Sequence, residues 1–302
     1  MNSSMSMSHP RSPLISVVIP FRNASTTLEG ALRSLGQQTF RDYEVILIDD
    51  CSTDNSFRIA SKFPWLLIRN DARMGPARSR NTGIKNARGT IFAFMDADCV
   101  AEQDWLKHFK DEFESDRETG AIAGSTRIPV STFLGDCISE LGFPGGANAG
   151  FERIWHVSSD GCTNHFSSCN FAVRRSVLNK YGAFDETFPY AGGEDAELSH
   201  RLSKKGVRIR YCPRAVVWHQ PRTSLLSFAR WQLLRGRTNY CFKRKVGNAA
   251  VFVSLRVWST WNIARNNLRR PRLFIIAILL ALGMLLQQVG YLLERLQPNR
   301  QP

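Results

Sequence analysis

Two carboxylates one residue apart, in Asp96-Ala97-Asp98, follow directly after an apolar run over residues 90–95. An uninterrupted apolar run of this length predicts a buried β-strand. Open α/β sheets bind their ligands beyond the carboxyl ends of such strands. At this spacing one acid can contact a ligand hydroxyl while the other binds a hard divalent cation through oxygen. The motif alone is equally typical of a solvated turn, so its meaning depends on the residues that accompany it.

Two further acidic pairs occupy comparable places. Asp49-Asp50 closes a predicted strand, and Glu194-Asp195 opens a predicted helix after Gly192-Gly193. A carboxylate accepts two hydrogen bonds at once, and a glycine pair lets the backbone approach a ligand closely. Taken singly, a turn explains the first pair and the helix dipole explains the second. The three acidic pairs together suggest sugar transfer from a nucleotide.

Strands and helices alternate through the first hundred residues. That alternation predicts right-handed βαβ units and an α/β fold with a mainly parallel sheet flanked by helices. No G-x-G-x-x-G follows the first strand, which argues against a dinucleotide-dependent dehydrogenase. The strands are predicted at Ile15–Pro20, Tyr43–Asp49, Trp65–Arg69 and Thr90–Met95. Further along, a strand is predicted at 168–174, a helix from Glu194 to about Lys205, and two strands at 207–211 and 215–218, followed by His219.

Basic charge is concentrated in the C-terminal third. The 302 residues have a formal net charge of +14, yet residues 1–200 contain 20 Lys and Arg against 25 Asp and Glu. Between Arg201 and Arg272 there are 18 basic residues and no acidic one. A nucleic-acid surface, an anionic membrane surface and a solvated tail all have such charge. The Trp, Leu and Arg residues of segments 224–235 and 251–258 are typical of interfacial helices, which favours an anionic membrane over nucleic acid.

An apolar segment follows the basic block. Residues 273–286 have no charged or polar side chain, and the segment continues through Gln287-Gln288 to Leu293. A helix over 273–293 would be roughly 31 Å long, about the thickness of a bilayer core. We predict a transmembrane helix there, with an interfacial helix as the alternative because of the two glutamines. The arginines at 269, 270 and 272 place the preceding chain on the cytoplasmic side.

Cysteine usage and the first residues bear on the compartment. The seven cysteines are scattered and form no C-x-x-C pair, which favours a reducing compartment. Cys162, His165 and Cys169 do not have the spacing of a zinc site. Residues 1–13 are rich in Ser and Met without an apolar core, and they predict a flexible leader rather than a signal peptide.

Four segments, in this order, resemble the family 2 glycosyltransferases of the GT-A fold. They are Ser16-Val-Val-Ile-Pro-Phe-Arg-Asn23, Ile48-Asp-Asp-Cys-Ser-Thr-Asp54, Ala77-Arg-Ser-Arg-Asn-Thr-Gly83 and Asp96-Ala-Asp98. The likeness continues through residues 170–175 and 193–195 to about residue 220. It implies a GT-A domain over 14–220, with a nucleotide-sugar half at 14–100 and an acceptor half at 101–220. Basic amphipathic helices at 221–272 would follow this domain.

The resemblance also implies a role for individual residues. Asp98 and His219 would hold Mg²⁺ or Mn²⁺ against the donor diphosphate. Asp195 would be the general base, with Glu194 orienting the acceptor or its loop. A diphosphate held by a metal leaves without protonation, so the site needs one base and no second acid, and the product is inverted at the anomeric carbon. The resemblance assigns contacts with the donor to Pro20, Phe21, Asn23, Asp49, Asp50, Arg80 and Asp96.

The function implied is transfer of one sugar from a nucleoside diphosphate sugar to a lipid-linked or cell-envelope glycan acceptor, at the cytoplasmic face of the inner membrane. Processive members have Gln-x-x-Arg-Trp, whereas Ser227 stands in the Gln position before Arg230-Trp231. A sugar-phosphate nucleotidyltransferase is an alternative, but residues 20–25 have no Lys and no glycine-rich phosphate loop. A catalytically weak membrane-bound sugar- or nucleotide-binding module is another, and it predicts the loss of Asp98 or Asp195.

Overall fold

One sheet of nine strands organises the part of the chain that the structure describes. The computed structural model describes residues 12–247, 250–268 and 272–296, with residues 250–257 as backbone alone. The strands are β1 Ile15–Phe21, β2 Tyr43–Asp49, β3 Leu66–Arg69, β4 Ile91–Met95, β5 Cys99–Ala101, β6 Thr119–Arg127, β7 Cys162–Thr163, β8 Asn170–Arg174 and β9 Arg208–His219. The helices are α1 Leu28–Gly36, α2 Ser56–Ala60, α3 Pro76–Asn86, α4 Trp105–Ser115, α5 Phe133–Ser139, α6 Phe151–Ile154, α7 Arg175–Tyr181, α8 Glu194–Lys204, α9 Leu225–Val246, α10 Ala250–Asn267 and α11 Leu273–Arg295.

The first four strands named are parallel wherever they pair. Strand β1 lies between β2 and β4, and β3 pairs with the far side of β2. The apolar runs of β1, β2 and β4 are buried, as a parallel sheet covered by helices requires, whereas β3 at the edge of the sheet is partly exposed. The carboxyl ends of β1, β2 and β4 therefore meet at one edge, which brings together the residues that follow Phe21, Asp49 and Met95.

Antiparallel pairing enters in the second half of the sheet. The order is β3-β2-β1-β4-β8-β6-β9-β5, with β7 beside β9. Strand β8 is antiparallel to both β4 and β6, whereas β9 is parallel to β6 and antiparallel to β5 and β7. The predicted mainly parallel sheet flanked by helices is confirmed for β1 to β4, and the added antiparallel strands make the whole sheet mixed.

Strand β9 corrects one prediction. The two strands expected at 207–211 and 215–218 are a single strand, Arg208–His219. Its register against β6 shifts between the pairs Gly124–Cys212 and Ser125–Val216, so a β-bulge holds the intervening residues. The bulge lets β9 continue past Pro213 and deliver His219 to the edge of the sheet where β4 ends.

The side chain of Asn170 fills this bulge. Its Nδ2 donates to the carbonyl oxygens of Ser125 and Ala215, at 2.9 and 3.0 Å, and its Oδ1 accepts from Trp105 Nε1 at 2.8 Å. A Cβ on Gly124 would lie 2.3 Å from Asn170 Oδ1, so the neighbouring strand needs glycine there. One buried amide thus pairs carbonyl groups that the shift of register leaves without strand partners.

Helices α9 and α11 pack closely against each other. A Cβ on Gly236 of α9 or on Gly290 of α11 would lie 2.1 Å from a carbonyl oxygen of the opposite helix. Helix α9 also rests on the sheet domain, because Phe228 is fully buried and Thr238 Oγ1 lies 3.3 Å from the carbonyl oxygen of Gly192. Among the described helices α11 alone is long and apolar enough to cross a membrane, with a mean hydropathy of 2.3.

Parts of three predictions lie outside the described residues. The leader 1–13 is described only from Ser12, and the arginines at 269 and 270 are not described. The side chains of 251–257, which include most of the second amphipathic segment, are also outside the description.

We expect Asn170→Ala to lower the free energy of unfolding by about 2–4 kcal/mol, because buried carbonyl groups lose their donors and a cavity forms. Urea denaturation followed by circular dichroism measures this loss. Asn86→Ala, at the exposed end of α3, is the matched control and should change stability by about 0.5 kcal/mol or less. Equal losses in the two variants would contradict the role assigned to the Asn170 amide.

Candidate active site

Arg80 is a buried cation on α3 that joins two distant parts of the chain. Its guanidinium is 3% exposed and donates to Asp96 Oδ1 and to Glu194 Oε1, both at 2.8 Å. Burial opposes the charge, but the carboxylates of Asp96 and Glu194 outweigh it, so the pKa of Arg80 is raised above its ordinary value. The guanidinium therefore stays charged and fixes the end of β4 against the start of α8.

Glu194 holds the loop that precedes α8. The residue is fully buried, and its Oε2 accepts from the backbone N–H groups of Gly192 and Gly193, at 2.8 and 2.9 Å. Gly192 has a φ of +97°, a conformation that L side chains rarely adopt. Burial raises the pKa of Glu194, Asp195 raises it further, and Arg80 opposes both effects. Glu194 is thus committed to internal bonds that shape the backbone beside Asp195.

Asp98 and His219 face each other at the ends of β4 and β9. His219 Nδ1 lies 2.9 Å from the carbonyl oxygen of Gln220, which can only accept, so Nδ1 carries the hydrogen. In the neutral ring Nε2 then has its lone pair free, and this atom lies 3.4 Å from Asp98 Oδ1. The backbone N–H of Gln220 donates to the carbonyl oxygen of Asp98 at 2.9 Å and keeps the two segments in place.

This donor pair fits a divalent cation. Two lone pairs pointing at each other repel unless a proton or a cation lies between them, and carboxylate with imidazole suits Mn²⁺ or Mg²⁺. An imidazole whose other nitrogen donates to a carbonyl is the usual arrangement of a metal-binding histidine. Cys99 completes the group, whose ligand atoms lie within 4.8 Å of one another. Burial raises the pKa of the Cys99 thiol well above its ordinary value, so the donor set consists of Asp98 and His219.

Asp195 has a fixed carboxylate with unused lone pairs. Its Oδ2 accepts from the backbone N–H of Ser168 at 3.0 Å, and its Oδ1 accepts from that of Ala196 at 2.8 Å. The side chain is half-buried. The thiol of Cys169, next to Ser168, lies near the thiol of Cys99, next to Asp98, and raises its pKa further. Residues 168–169 are therefore close both to Asp195 and to the segment that bears Asp98.

Both carboxylate oxygens of Asp50 accept hydrogen bonds from other residues of the protein. Its Oδ1 accepts from Asn70 Nδ2 at 3.0 Å and from the backbone N–H of Met74 at 2.7 Å, while its Oδ2 accepts from the backbone N–H of Gly75 at 3.0 Å. Gly75 is the residue before α3. The carboxylate thereby fixes the start of the helix that carries Arg80, and its predicted contact with the donor stays a prediction.

Asp49 is likewise held by its neighbours. It is fully buried, its Oδ1 accepts from the backbone N–H of Ser52 at 2.9 Å, and its Oδ2 lies 3.2 Å from Arg69 Nε. Cys51 in the same turn has a φ of +61°, which is uncommon for a residue other than glycine. The bonds of Asp49 stabilise this turn at the end of β2.

An open cleft of about 340 Å³ lies between the end of β1 and Asp98. Asn23 has a φ of +50°, and its Oδ1 accepts from the backbone N–H of Thr53 at 2.8 Å, which ties the two turns that border the cleft. Phe21 is 3% exposed and contributes a buried wall. The cleft is lined by Pro20, Phe21, Arg22, Asn23, Ala24, Thr26, Thr27, Ala97, Asp98 and Gln220.

The model of the family described as "Glycosyl transferase family 2" matches residues 16–182, more than half of the chain. The chain belongs to glycosyl transferase family 2. It is similar to the pre-mycofactocin glycosyltransferase of Mycobacterium tuberculosis, with 28% identity over 235 residues, which are 72% of this chain and 46% of that protein. It is also similar to glycosyltransferase AglE of Haloferax volcanii, with 26% identity over 301 residues, 96% of this chain and 87% of that protein.

The fold is similar to that of mannosyltransferase PcManGT from Pyrobaculum calidifontis, solved in complex with GDP-Man and Mn²⁺. The TM-score is 0.58 at 20% identity, over 96% of this chain and 88% of that one. The predicted GT-A fold and the assignment to the glycosyltransferases are confirmed. The chain spans about half the length of the Mycobacterium relative.

In this member of glycosyl transferase family 2 the predicted site residues form three groups. Asp98 and His219 face each other beside the cleft, together with Pro20, Phe21 and Asn23. Asp96, Arg80 and Glu194 form an ion-paired row in which Arg80 and Glu194 are buried and Asp96 is half-buried, and Asp195 follows Glu194. Asp49 and Asp50 are the third group. Their hydrogen bonds do not join them to the other two groups but stabilise the turns at the edge of the sheet.

Arg222 is a site residue that the sequence did not single out. Burial lowers its pKa, while Asp98 and Asp96 act in the opposite direction, so the guanidinium lies near both acids. Its Cζ lies 4.6 Å from the ring centroid of Trp231, and none of the described carboxylates is within ion-pair distance of it. The position of Arg222, three residues after His219, could have pointed to the site. Arg222 lies within the basic segment 201–272, however, so the sequence does not distinguish it from the basic residues that were predicted to face a membrane.

We expect Arg80→Met to lower the free energy of unfolding by about 3–5 kcal/mol, because it leaves Asp96 and Glu194 without their counter-ion. Arg33→Met is the matched control, since Arg33 pairs with Glu29 on the exposed face of α1 and should cost about 1 kcal/mol or less. Denaturant unfolding of both variants measures the difference. A cost for Arg80→Met no larger than the control would show that the two carboxylates tolerate each other without the guanidinium.

Proposed function

We propose that this chain is an inverting, metal-dependent glycosyltransferase that moves one sugar from a nucleoside diphosphate sugar to an acceptor hydroxyl. The observation that carries this proposal is the facing pair Asp98 and His219 beside the cleft, linked to Asp195 through the neighbouring residues Ser168 and Cys169. Asp98 and His219 would hold Mn²⁺ or Mg²⁺. A cation there neutralises the charge of the departing diphosphate.

The donor would lie in the cleft beyond β1 and β4. Pro20, Phe21 and Asn23 would line the nucleoside end, and the free oxygen of Asp96 would accept from a ribose hydroxyl. Its other oxygen is already fixed by Arg80 at 2.8 Å, so the carboxylate needs no reorganisation to bind. Arg222 adds positive charge near the two acids on the side toward Trp231. The likeness to the Pyrobaculum enzyme, which was solved with GDP-Man, supports a nucleotide sugar as donor.

Asp195 would be the general base. The acceptor oxygen attacks the anomeric carbon, the bond from that carbon to the diphosphate oxygen breaks, and the hydroxyl proton passes to Asp195. Backbone donors at Ser168 and Ala196 hold the carboxylate in one orientation and leave lone pairs for that proton. A single displacement of this kind inverts the configuration of the anomeric carbon. Glu194 would act as a positioning residue for the loop.

The acceptor would be a lipid-linked or cell-envelope glycan at the cytoplasmic face of the inner membrane. Support comes from the basic segment 201–272, which attracts anionic lipid, and from the apolar helix α11. Ser227 in place of the glutamine of processive members supports transfer of a single sugar.

We expect Asp98→Ala to weaken Mn²⁺ binding at least about tenfold, because a carboxylate ligand is lost. The free Mn²⁺ signal in electron paramagnetic resonance, recorded with a nucleoside diphosphate present, measures this affinity. Asp42→Ala, at the opposite end of β2, is the control and should bind Mn²⁺ like the wild type. Chelation by EDTA should abolish turnover and added Mn²⁺ should restore it. Full activity in excess chelator would contradict the metal assignment.

We expect Asp195→Asn to reduce turnover by roughly 10²–10⁴, with little change in donor affinity, because the shape is kept and the proton acceptor is lost. Glu197→Gln on the same helix is the matched control, since Glu197 pairs with Arg201. Steady-state kinetics with a set of nucleotide sugars measures both variants. A near-normal rate in Asp195→Asn would assign the base to another group, and a product with the donor's anomeric configuration would exclude a single displacement.

A further inference from the structure

Helix α11 has an exposed apolar stripe along its whole length. Its members recur every three or four residues, which places them on one side of a helix. Between them they span from the first turn to the end of the helix, and the exposed polar residues on that side are Gln288 and, in the last turn, Arg295. The members of this stripe that are large and exposed are Phe274, Ile278, Leu285, Val289, Leu292 and Leu296.

The opposite face of α11 is occupied by protein. Ile276, Leu279, Gly283 and Gly290 are buried there. The polar residue Gln287 also faces α9, where its Nε2 donates to Gln232 Oε1 at 2.6 Å. An apolar helix that spans a bilayer unaccompanied has lipid on all sides, whereas α11 has one face reserved for α9.

The end of α11 is bound to the sheet domain as well. Glu294 is buried, its Oε2 lies 3.4 Å from the hydroxyl of Tyr190 and 4.0 Å from Arg237 Nε. Tyr190 belongs to the loop before α8. The contact therefore joins the last turn of α11 to the part of the chain that precedes Asp195.

Helix α9 cannot accompany α11 through hydrocarbon. It carries Arg235, Arg237 and Lys243 along the region that packs on α11, and charged side chains within a bilayer are costly. Helix α9 is also held to the sheet domain through Thr238, whose Oγ1 lies 3.3 Å from the carbonyl oxygen of Gly192. If α11 crossed the bilayer, either these charged side chains of α9 would enter the hydrocarbon or the contacts between α9 and α11 would be lost.

We propose that α11 lies in the plane of the membrane, with its exposed apolar stripe in one leaflet, instead of crossing the bilayer. The partner is an anionic lipid surface, because the chain beside the stripe is basic. Lys243 Nζ lies 5.7 Å from the ring of Tyr291 on α11, and Arg244 and Arg295 are exposed. The proposal rests on the membrane association proposed above but not on the transfer chemistry.

The first experiment is flotation of the full chain with vesicles of phosphatidylcholine, with and without phosphatidylglycerol. We expect binding to the anionic vesicles, and a loss of at least about tenfold in Leu285→Asp because a carboxylate enters the leaflet. Leu66→Asp is the matched control, an exposed leucine on the edge strand β3, and it should bind like the wild type. Circular dichroism establishes that both variants are folded.

Two results of flotation would overturn the proposal. If the wild type does not bind anionic vesicles, membrane association itself fails. If Leu285→Asp binds like the wild type, the stripe does not face lipid, and a dimer of the wild type that dissociates in Leu285→Asp would identify a second copy as its occupant.

The second experiment separates lying in the plane from crossing. Spin labels on cysteines introduced at Phe274, Leu285 and Leu296 report depth by power saturation, with the labelled parent chain as background. An in-plane helix gives three shallow and similar depths. A deep label at 285 with shallow labels at 274 and 296 would establish a spanning helix and overturn the proposal. Hydrolysis of donor by the same samples is recorded separately, so failure of the transfer function would be seen without affecting the depths.

Discussion

The buried charge of Arg80 is the constraint around which the two halves of the domain are arranged. A guanidinium in the interior is tolerated only with counter-ions and well-aligned hydrogen bonds. Arg80 obtains them from Asp96, after β4, and from Glu194, more than a hundred residues later. Both acids form their ion pair with Arg80, so the end of the parallel sheet and the start of α8 have to meet. The half that would bind nucleotide and the half that bears Asp195 are therefore fixed relative to each other.

The same requirement orders the residues around Arg80. Asp50 fixes the start of α3 through the backbone of Met74 and Gly75, and α3 carries Arg80. Glu194 in turn holds Gly192 and Gly193 beside Asp195. Two acids that the sequence predicts as site residues thus also support the position of Arg80.

The sequence predicts well what depends on local pattern. Strand β2 was predicted with its observed bounds, because an apolar run closed by charged residues has few other conformations. The edge of the sheet that gathers Asp49, Asp96 and Asp98 follows from parallel pairing alone. The hydrogen-bond partners of Asp50 could not be predicted from the sequence. Asn70 and Met74 are a polar and an apolar residue of a turn, and no local sequence pattern marks either of them as a partner of Asp50.

Strand β9 and helix α11 show what a local pattern leaves out. Pro213 looks like a strand end, and the amide of Asn170 on β8 supports a bulge there by donating to the carbonyl oxygen of Ala215. The high hydropathy of residues 273–293 indicates a span, but it does not show that the face of α11 with Gly283 and Gly290 packs against α9. In both cases the deciding partner lies on another element, beyond what a local pattern records.

Through the contact between Thr238 and Gly192, helix α9 acts as a spacer beside the loop that precedes Asp195. With α11 in the membrane plane, α9 would lie between the lipid and Gly192, and a helix with its side chains is roughly 10–12 Å across. The contact of Tyr190 with Glu294 would hold the start of the same loop at the end of α11. The height of Asp195 above the bilayer would then be a fixed dimension of the protein. The distance of the acceptor sugar from the membrane surface would then select the acceptor. A sugar attached close to its lipid phosphate would lie at the height of Asp195, whereas the far end of a long glycan would lie further from the membrane than Asp195.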